Sequence, residues 1–448
     1  MTSATRSCSQ CADLLWAASF IERNIVFASL RPFLQRKLSA DPMLRHADFR
    51  RYWLASTITT FGEQVSGLAI PLTAVGMLKA TSAQMGILIA LGALPAALFS
   101  LPVGVWLDRR SKYPVLLWTK LIFCVLLALI PISYYLHSLT ISVLYAEGFL
   151  VGICYVVSAS ASQVFLVQMV GREHLLDVQS KFAGTDSIAR LLGPGIAGML
   201  VQMLTAPVAV LVDAIGVIAA WWSLRRVRKR DVRPAPSDRH PFREMLDGIK
   251  MIWHHDILWT LAWSMALWQI LFNGYLVVQI PFATHQLGMS PGWLGAAQIF
   301  GGLGVFASSM LFRPLSRWFG RGRTILIGLS GSGVAWLLLA MIPVHLCGSA
   351  LLSASAYAVT VFVFDCCSML YFMSYATLRL QLAPERFQGR TVSIMRFMTA
   401  AAAPLGALSA GWIAGHLGVR NALVVIAMGG ILLIFGLLTA SLLRDILD

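Results

Sequence analysis

The sequence predicts an all-α integral membrane protein, with twelve transmembrane helices in two six-helix pseudo-symmetric bundles. Three observations predict it. Hydrophobic residues make up 58% of the 448, and charged residues only 12%, about half the share of a soluble domain. Twelve apolar stretches are each long enough to cross a hydrocarbon core, which takes roughly 20 residues. The plan of the first six stretches recurs in the second six, a layout of transporters whose substrate site lies between two halves at mid-membrane.

In the first half the expected spans are Tyr52–Leu78, Gln84–Leu107, Pro114–Leu136, Ile141–Val170, Phe182–Leu204 and Val208–Leu224. A basic stretch follows, from Arg225-Arg226 through Arg228-Lys229-Arg230 to Arg233-Pro234-Ala235-Pro236. It is too charged and proline-interrupted to span, and reads as a solvated linker. Residues 242–253 then read as a short amphipathic helix on the membrane surface. The second half gives Leu258–Ala283, Leu294–Phe312, Thr324–Val344, Ala350–Leu378, Val392–His416 and Ala422–Leu443. The expected organisation is an N-terminal extension over 1–42, a first bundle over 43–224, the linker over 225–256 and a second bundle over 257–448. The extension lacks the apolar core and small-residue cleavage site of a signal peptide and is expected to be dispensable.

Charge placement sets the orientation. One set of loops holds Arg50, Arg51, Arg109, Arg110, Lys112, Arg313, Arg317, Arg321, Arg323 and the linker cluster, while the other holds little beyond Lys79 and Arg420. Positive residues stay on the cytoplasmic side, so both termini are expected in the cytoplasm, with the chain in the bacterial inner membrane. The net charge of +15 is thereby explained without a nucleic-acid partner. The expected partners are the lipid bilayer, a small-molecule substrate and protons, with the chain acting as a monomer. Cys8 and Cys11 form a lone C-x-x-C with no second pair or nearby histidines, and a metal site needs one or the other. No metal or cofactor is expected. Enzyme signatures such as G-x-S-x-G, H-E-x-x-H and the P-loop are missing from the sequence, so transport energy is expected from an ion gradient rather than from a nucleotide.

Several motifs carry candidate functions. After the second span stand Gly104, Asp108, Arg109, Arg110, Ser111 and Lys112. An anion at a helix C-terminus is disfavoured by the helix dipole, so Asp108 calls for a compensating cation or helix start. Gly104, one turn earlier, suits close helix contact. The group is expected to gate the cytoplasmic end. Its echo in the second half is Ser316-Arg317-Trp318-Phe319-Gly320-Arg321, and Gly193-Pro194-Gly195 is echoed by Ala403-Pro404-Leu405-Gly406.

Ionisable residues inside spans are costly and usually functional. Glu63, Asp186 and Asp365 are the coupling candidates. Asp186 and Arg190 are four apart and share a helix face, where they suit an ion pair. Lys120 and Glu147 lie in the third and fourth spans, and Asp213 in the sixth reads as structural. Gln64, Arg190, Trp268, Asn273, Tyr371 and Arg396 are the candidates for lining a substrate cavity, because aromatic and polar groups together suit a large amphipathic ligand. Arg396 suits either an anionic substrate or the gate near Asp108.

On these residues the chain resembles the major facilitator superfamily. The signature between its second and third spans is matched by Gly104, Asp108 and Arg109, with Ser111 in place of a second glycine and only Lys112 of the closing basic pair. Gly193-Pro194 and Gly198 resemble the superfamily's fifth-span exporter motif. Arg50-Arg51-Tyr52-Trp53, Gly62-Glu63-Gln64-Val65, Pro384-Glu385-Arg386 and Met395-Arg396-Phe397 look like the branch of siderophore exporters and macrolide efflux proteins. The resemblance implies a secondary exporter of an amphipathic small molecule, siderophore or drug-like, working by alternating access with proton antiport. A lipid flippase or a non-transporting sensor with the same fold are the contrasting readings.

Overall fold

The computed structural model describes residues 42–171, 173–227, 256–344, 349–382 and 388–439. The N-terminal extension with its C-x-x-C, the linker beyond 227 with its surface helix, and residues 383–387 lie outside the described residues, as does the side chain of Asp108. After a one-turn helix at Pro42–Arg45, the described residues form twelve long helices. These are α1 Ala47–Leu72, α2 Ser82–Asp108, α3 Lys112–Tyr135, α4 Ile141–Val170, α5 Leu175–Leu204 and α6 Ala206–Arg225. Then come α7 Asp256–Pro281, α8 Pro291–Trp318, α9 Gly320–Met341, α10 Ala350–Leu382, α11 Gln388–Leu417 and α12 Val419–Thr439.

Eleven of these are long and apolar enough to cross a membrane, among the described residues. The exception is α1, which at 26 residues is long enough but carries Glu63, Gln64 and several threonines that lower its mean hydropathy. The chain is a multi-pass membrane protein. Several helices outrun the apolar stretch that marked them: α5 starts at Leu175 rather than Phe182, and α8 runs on to Trp318 rather than Phe312. Hydropathy marks the part of a helix in lipid, whereas backbone hydrogen bonding carries the helix past it into water.

The two halves repeat in local chemistry. α1 ends at Pro71 followed by a π turn at Thr73–Met77, and α7 ends at Pro281 followed by a π turn at Phe282–Gln286. Proline cannot donate to the carbonyl four residues back, which loosens the ladder where the wider turn begins. A hydroxyl then caps the next helix in each half. Thr81 accepts from the Gln84 amide in a reciprocal capping box, and Ser290 accepts from the Trp293 amide. Such caps satisfy amides that a helix start leaves open.

Packing repeats as well. α1 lies on α5 and α6, α2 on α4, and α3 on α4 and α6; α7 lies on α11 and α12, α8 on α10, and α9 on α10 and α12. Two larger contacts join the sets, α2 with α11 and α5 with α8. Each is a crossing of bare backbones. A Cβ on Gly86 of α2 would stand 2.7 Å from the Ala407 carbonyl oxygen and 2.9 Å from the Gly411 Cα. A Cβ on Gly198 of α5 would stand 2.8 Å from the Gly295 Cα of α8. Only glycine permits this approach. Both crossings lie at the start of α2 and α8 and the end of α5 and α11, on the face opposite the arginine-rich loops.

Gly104 was expected to allow a close helix contact, but a Cβ there would meet nothing within 4 Å. The loop to α3 needs no second glycine either, since Ser111 sits at φ −67° in ordinary extended backbone. In the matching loop of the second half Gly320 takes φ +78°, a conformation that glycine reaches without strain. Lys112, counted among the loop cations, is 1% exposed and donates to the Arg110 carbonyl, while Arg109 and Arg110 are exposed. Nearby, the Tyr113 hydroxyl lies 3.1–3.3 Å from the carbonyls of Leu224, Arg225 and Val227, and Arg51 donates to the Arg226 carbonyl. They occupy the carbonyls that end α6.

Leucine at Gly86 or Gly198 is expected to force a crossing apart and to cost about 1–3 kcal/mol, read as a lower melting temperature of the detergent-solubilised protein. Leucine at Gly104 should leave it unchanged. An equal loss at Gly104 would contradict the assignment of the crossings.

Candidate functional site

Two adjoining chambers form a central cavity, the first lined by α1, α3, α4, α5 and α6 alone. The first, about 270 Å³, runs along α1 from Tyr52 past Ser56, Thr59 and Thr60 to Glu63, with Lys120, Tyr155, Ser162, Asp186 and Arg190 across from it. The second, about 420 Å³, lies deeper, between α1 and α5 on one side and α7, α8 and α10 on the other. Its wall carries Pro71, Pro194, Phe272, Tyr275, Gln279, Gln298, Phe364 and Asp365. Glu63, Gln64 and Arg190 line both chambers.

Local sequence explains this junction. Glu63 and Gln64 are consecutive on α1, so their side chains splay to two sides of the helix. Gly193 faces Gln64, and a Cβ there would stand 2.7 Å from the Gln64 Cβ. The fifth-span motif therefore does two things: Gly193 makes room for Gln64, while Gly198 forms the α5–α8 crossing and Pro194 lines the deeper chamber. Gly301 of α8 likewise clears space for the Asp365 carboxylate.

The charges facing the cavity are Glu63, Asp186 and Asp365 against Lys120 and Arg190. Glu63 lies in the field of Lys120, Asp186 and Arg190, and Asp365 in that of Arg190. Asp186 and Arg190 share a face but both side chains are exposed to the cavity, and among the described residues no ion pair joins them. The Lys120 ammonium donates to the Thr59 hydroxyl at 3.1 Å. Arg396 is exposed and acts on Tyr155, a ring that the sequence reading had not singled out. Its signal was weak, since one tyrosine in an apolar span looks like packing.

Trp268, Asn273 and Tyr371 lie elsewhere. Asn273 is buried and donates back to the Gln269 carbonyl of its own helix. Trp268 and Tyr371 belong to an aromatic ladder in the second half. Trp268 stacks on Phe272 with centroids 5.0 Å apart and planes 8° apart, and Phe272 stacks on Phe364 at 6.2 Å and 9°. Tyr371 tilts against Trp268 at 5.8 Å, and Tyr275 against Phe364 at 4.9 Å. Pairs of this kind add about 0.5–1.5 kcal/mol each beyond their buried area. The ladder thus runs from a buried core to the cavity, and Phe272, Tyr275 and Phe364 are the rings that reach it.

Over residues 52–407 the sequence matches the profile of the Major Facilitator Superfamily. The chain belongs to that superfamily. It is 23% identical over 365 residues to the multidrug efflux pump Tap of Mycolicibacterium fortuitum, covering 76% of this chain and 83% of the relative. It is 22% identical to macrolide efflux protein A of Streptococcus pyogenes, covering 74% and 80%. Among solved structures it resembles the nucleoside transporter NupG at a TM-score of 0.71 and 13% identity, over 88% of this chain and 100% of that one. A bacterial homologue of the iron transporter ferroportin in its inward-facing state matches at 0.71 and 14%, over 90% and 100%. At such identities the structural likeness shows the fold. The family and these neighbours are transporters.

Valine at Gly193 is expected to push Gln64 aside and narrow the junction. The check is maleimide labelling of a cysteine placed at Gln298, in a chain whose seven native cysteines are serines. Labelling from the basic face should slow about tenfold, the equivalent of 1.4 kcal/mol. An unchanged rate would show that the deeper chamber is reached by another path.

Proposed function

We propose that the protein is a secondary active exporter of the bacterial inner membrane that moves cationic or neutral amphipathic molecules of drug-like size out of the cytoplasm. The observation that carries this reading is the junction at Glu63, Gln64 and Arg190, where a charged antechamber meets an aromatic-walled chamber. One end of the ligand meets Glu63 and Asp365, and its apolar body lies against Phe272, Tyr275 and Phe364. In the deeper chamber two carboxyls, Glu63 and Asp365, face one cation, Arg190, which favours a cationic ligand over an anionic siderophore. The printed functions of the efflux relatives point the same way.

The basic face is cytoplasmic by the positive-inside rule, with both termini on that side. The cavity then opens to the cytoplasm, where substrate loads, and the glycine crossings close the outer face. Residues 43–224 and 257–448 act as two units that rock about the cavity. In the alternate state the α2 end closes, bringing Gly104, Asp108 and Arg109 against the second unit. The open space at Gly104 leaves room for that movement. Asp108→Asn is expected to leave insertion intact, to cut export severalfold and to alter labelling of cytoplasmic-side cysteines. Unchanged export at normal expression would remove Asp108 from the gate.

Glu63 is the proposed coupling residue, because it alone of the three carboxyl candidates lines both chambers. Removing water from a carboxyl favours its protonated form, so a site that substrate and proton occupy in turn exchanges one for the other. The test is erythromycin transport in proteoliposomes under an imposed pH gradient. The parent should accumulate the drug against its gradient, and Glu63→Gln should lose that accumulation while retaining binding. A mutant that responds to the gradient like the parent would exclude Glu63 as carrier. A parent inert toward erythromycin and toward lipophilic cationic dyes would overturn the substrate class.

A further inference from the structure

A third chamber lies behind Glu63, inside the first six helices and away from α7, α8 and α10. It measures about 390 Å³, and its polar wall is Glu63, Ser66, Glu147 and Asp213. The rest is apolar, with Ile70, Leu88, Ile89, Phe123, Leu127 and Val151 among the lining. Glu147 is 2% exposed and Asp213 is 1% exposed. Asp213 Oδ2 accepts from the Ser66 hydroxyl, while Oδ1 lies in space that Gly62 leaves by lacking a side chain. The other Asp213 oxygen, Oδ1, and Glu147 Oε1 are buried and have no hydrogen-bond partner among the described residues.

The surrounding charges do not balance these groups. α1 brings Glu63, α3 brings Lys120 and the Cys124 thiol, α4 brings Glu147 and Tyr155, and α6 brings Asp213. α2 contributes only apolar residues to the chamber. On α5, Asp186 and Arg190 face the central cavity and offset each other. Lys120 is therefore the cation set against three carboxyls, and its charge acts on both Glu63 and Asp213. Fully ionised, the group would hold two uncompensated negative charges in an interior that solvates them poorly. An unpaired buried carboxylate is costly, and the usual escape is to take up a proton. A metal ion would need a ring of ligands, and no group of three or more suitable side chains stands close enough among the described residues.

We propose that Glu147 and Asp213 form a second, internal proton-binding site, loaded from the central cavity past Glu63. Glu63 lines the third chamber as well as the first two, which makes it the door between substrate space and this store. The protons held there are separate from the one exchanged at Glu63, so the site stands even if Glu63 is not the carrier. It also gives a role to Asp213, which sequence reasoning assigned to packing.

The test is infrared spectroscopy of the purified protein in lipid, which distinguishes a protonated carboxyl by its carbonyl stretch. At neutral pH the parent is expected to show that stretch. Glu147→Gln and Asp213→Asn should each lose part of it, and the double variant should lose both parts. Glu63→Gln should retain the Glu147 part, because Lys120 acts on Asp213 and Glu63 but not on Glu147, which separates this site from the carrier reading. Folded protein that holds these protons more tightly than unfolded chain becomes less stable as pH rises. The parent's melting temperature should therefore fall as pH rises above the ordinary carboxyl range, and the two amide variants should flatten the fall. A parent with no protonated-carboxyl stretch at neutral pH overturns the proposal whether or not the variants fold. So does a parent-minus-variant spectrum that shows carboxylate bands instead.

Discussion

The architecture turns on the places where the backbones of the two sets of helices touch: Gly86 with Gly411, Gly198 with Gly295 and, nearer the middle of α5 and α8, Leu191 with Gly302. The first two stand at one end of the helices, and the third stands beside the deeper chamber, which Arg190 and Gly302 both line. Side chains add to the α5–α8 contact, where Ile299 reaches Gly195 and Gln202 reaches Gly292, whereas Gly86 and Gly411 meet through backbone atoms. Among the described residues no salt bridge joins the two sets, so close fit carries much of the contact.

The cavity also sorts chemistry between its two walls. The first six helices supply Glu63, Lys120, Glu147, Asp186, Arg190 and Asp213, while the second six supply the aromatic ladder and a single mid-membrane acid, Asp365. Charged groups in low dielectric act on one another over several ångströms, so the first wall behaves as one coupled electrostatic unit. The aromatic wall interacts by contact and shape.

Much of this was legible in the sequence. Apolar length gave the helices, and loop arginines gave the basic face. The polar residues of α1 and α5 stood out because ionisable groups in spans are rare and need a reason. What the sequence could not separate was cavity from core among the aromatics. Phe272 and Trp268 sit one turn apart on α7, yet Phe272 lines the deeper chamber and Trp268 is buried behind it. Periodicity gives a shared face but not how far a neighbouring helix covers it. Gly86, Gly295 and Gly411 escaped notice for a related reason, since glycine is common in membrane helices and only the partner backbone shows which ones matter. Asp213 was underrated because the hydroxyl that meets it, Ser66, lies on another helix, 147 residues away in the chain.

The division between the walls bears on how such a protein changes its diet. A substitution at Phe272, Tyr275 or Phe364 alters the shape of the deeper chamber but leaves every charge in place. New shapes can thus be tried one ring at a time, while the charged groups of the other wall stay fixed. The reverse change, adding or removing a charge on that wall, disturbs the whole electrostatic unit at once. Shape in this cavity is free to drift, and charge is not.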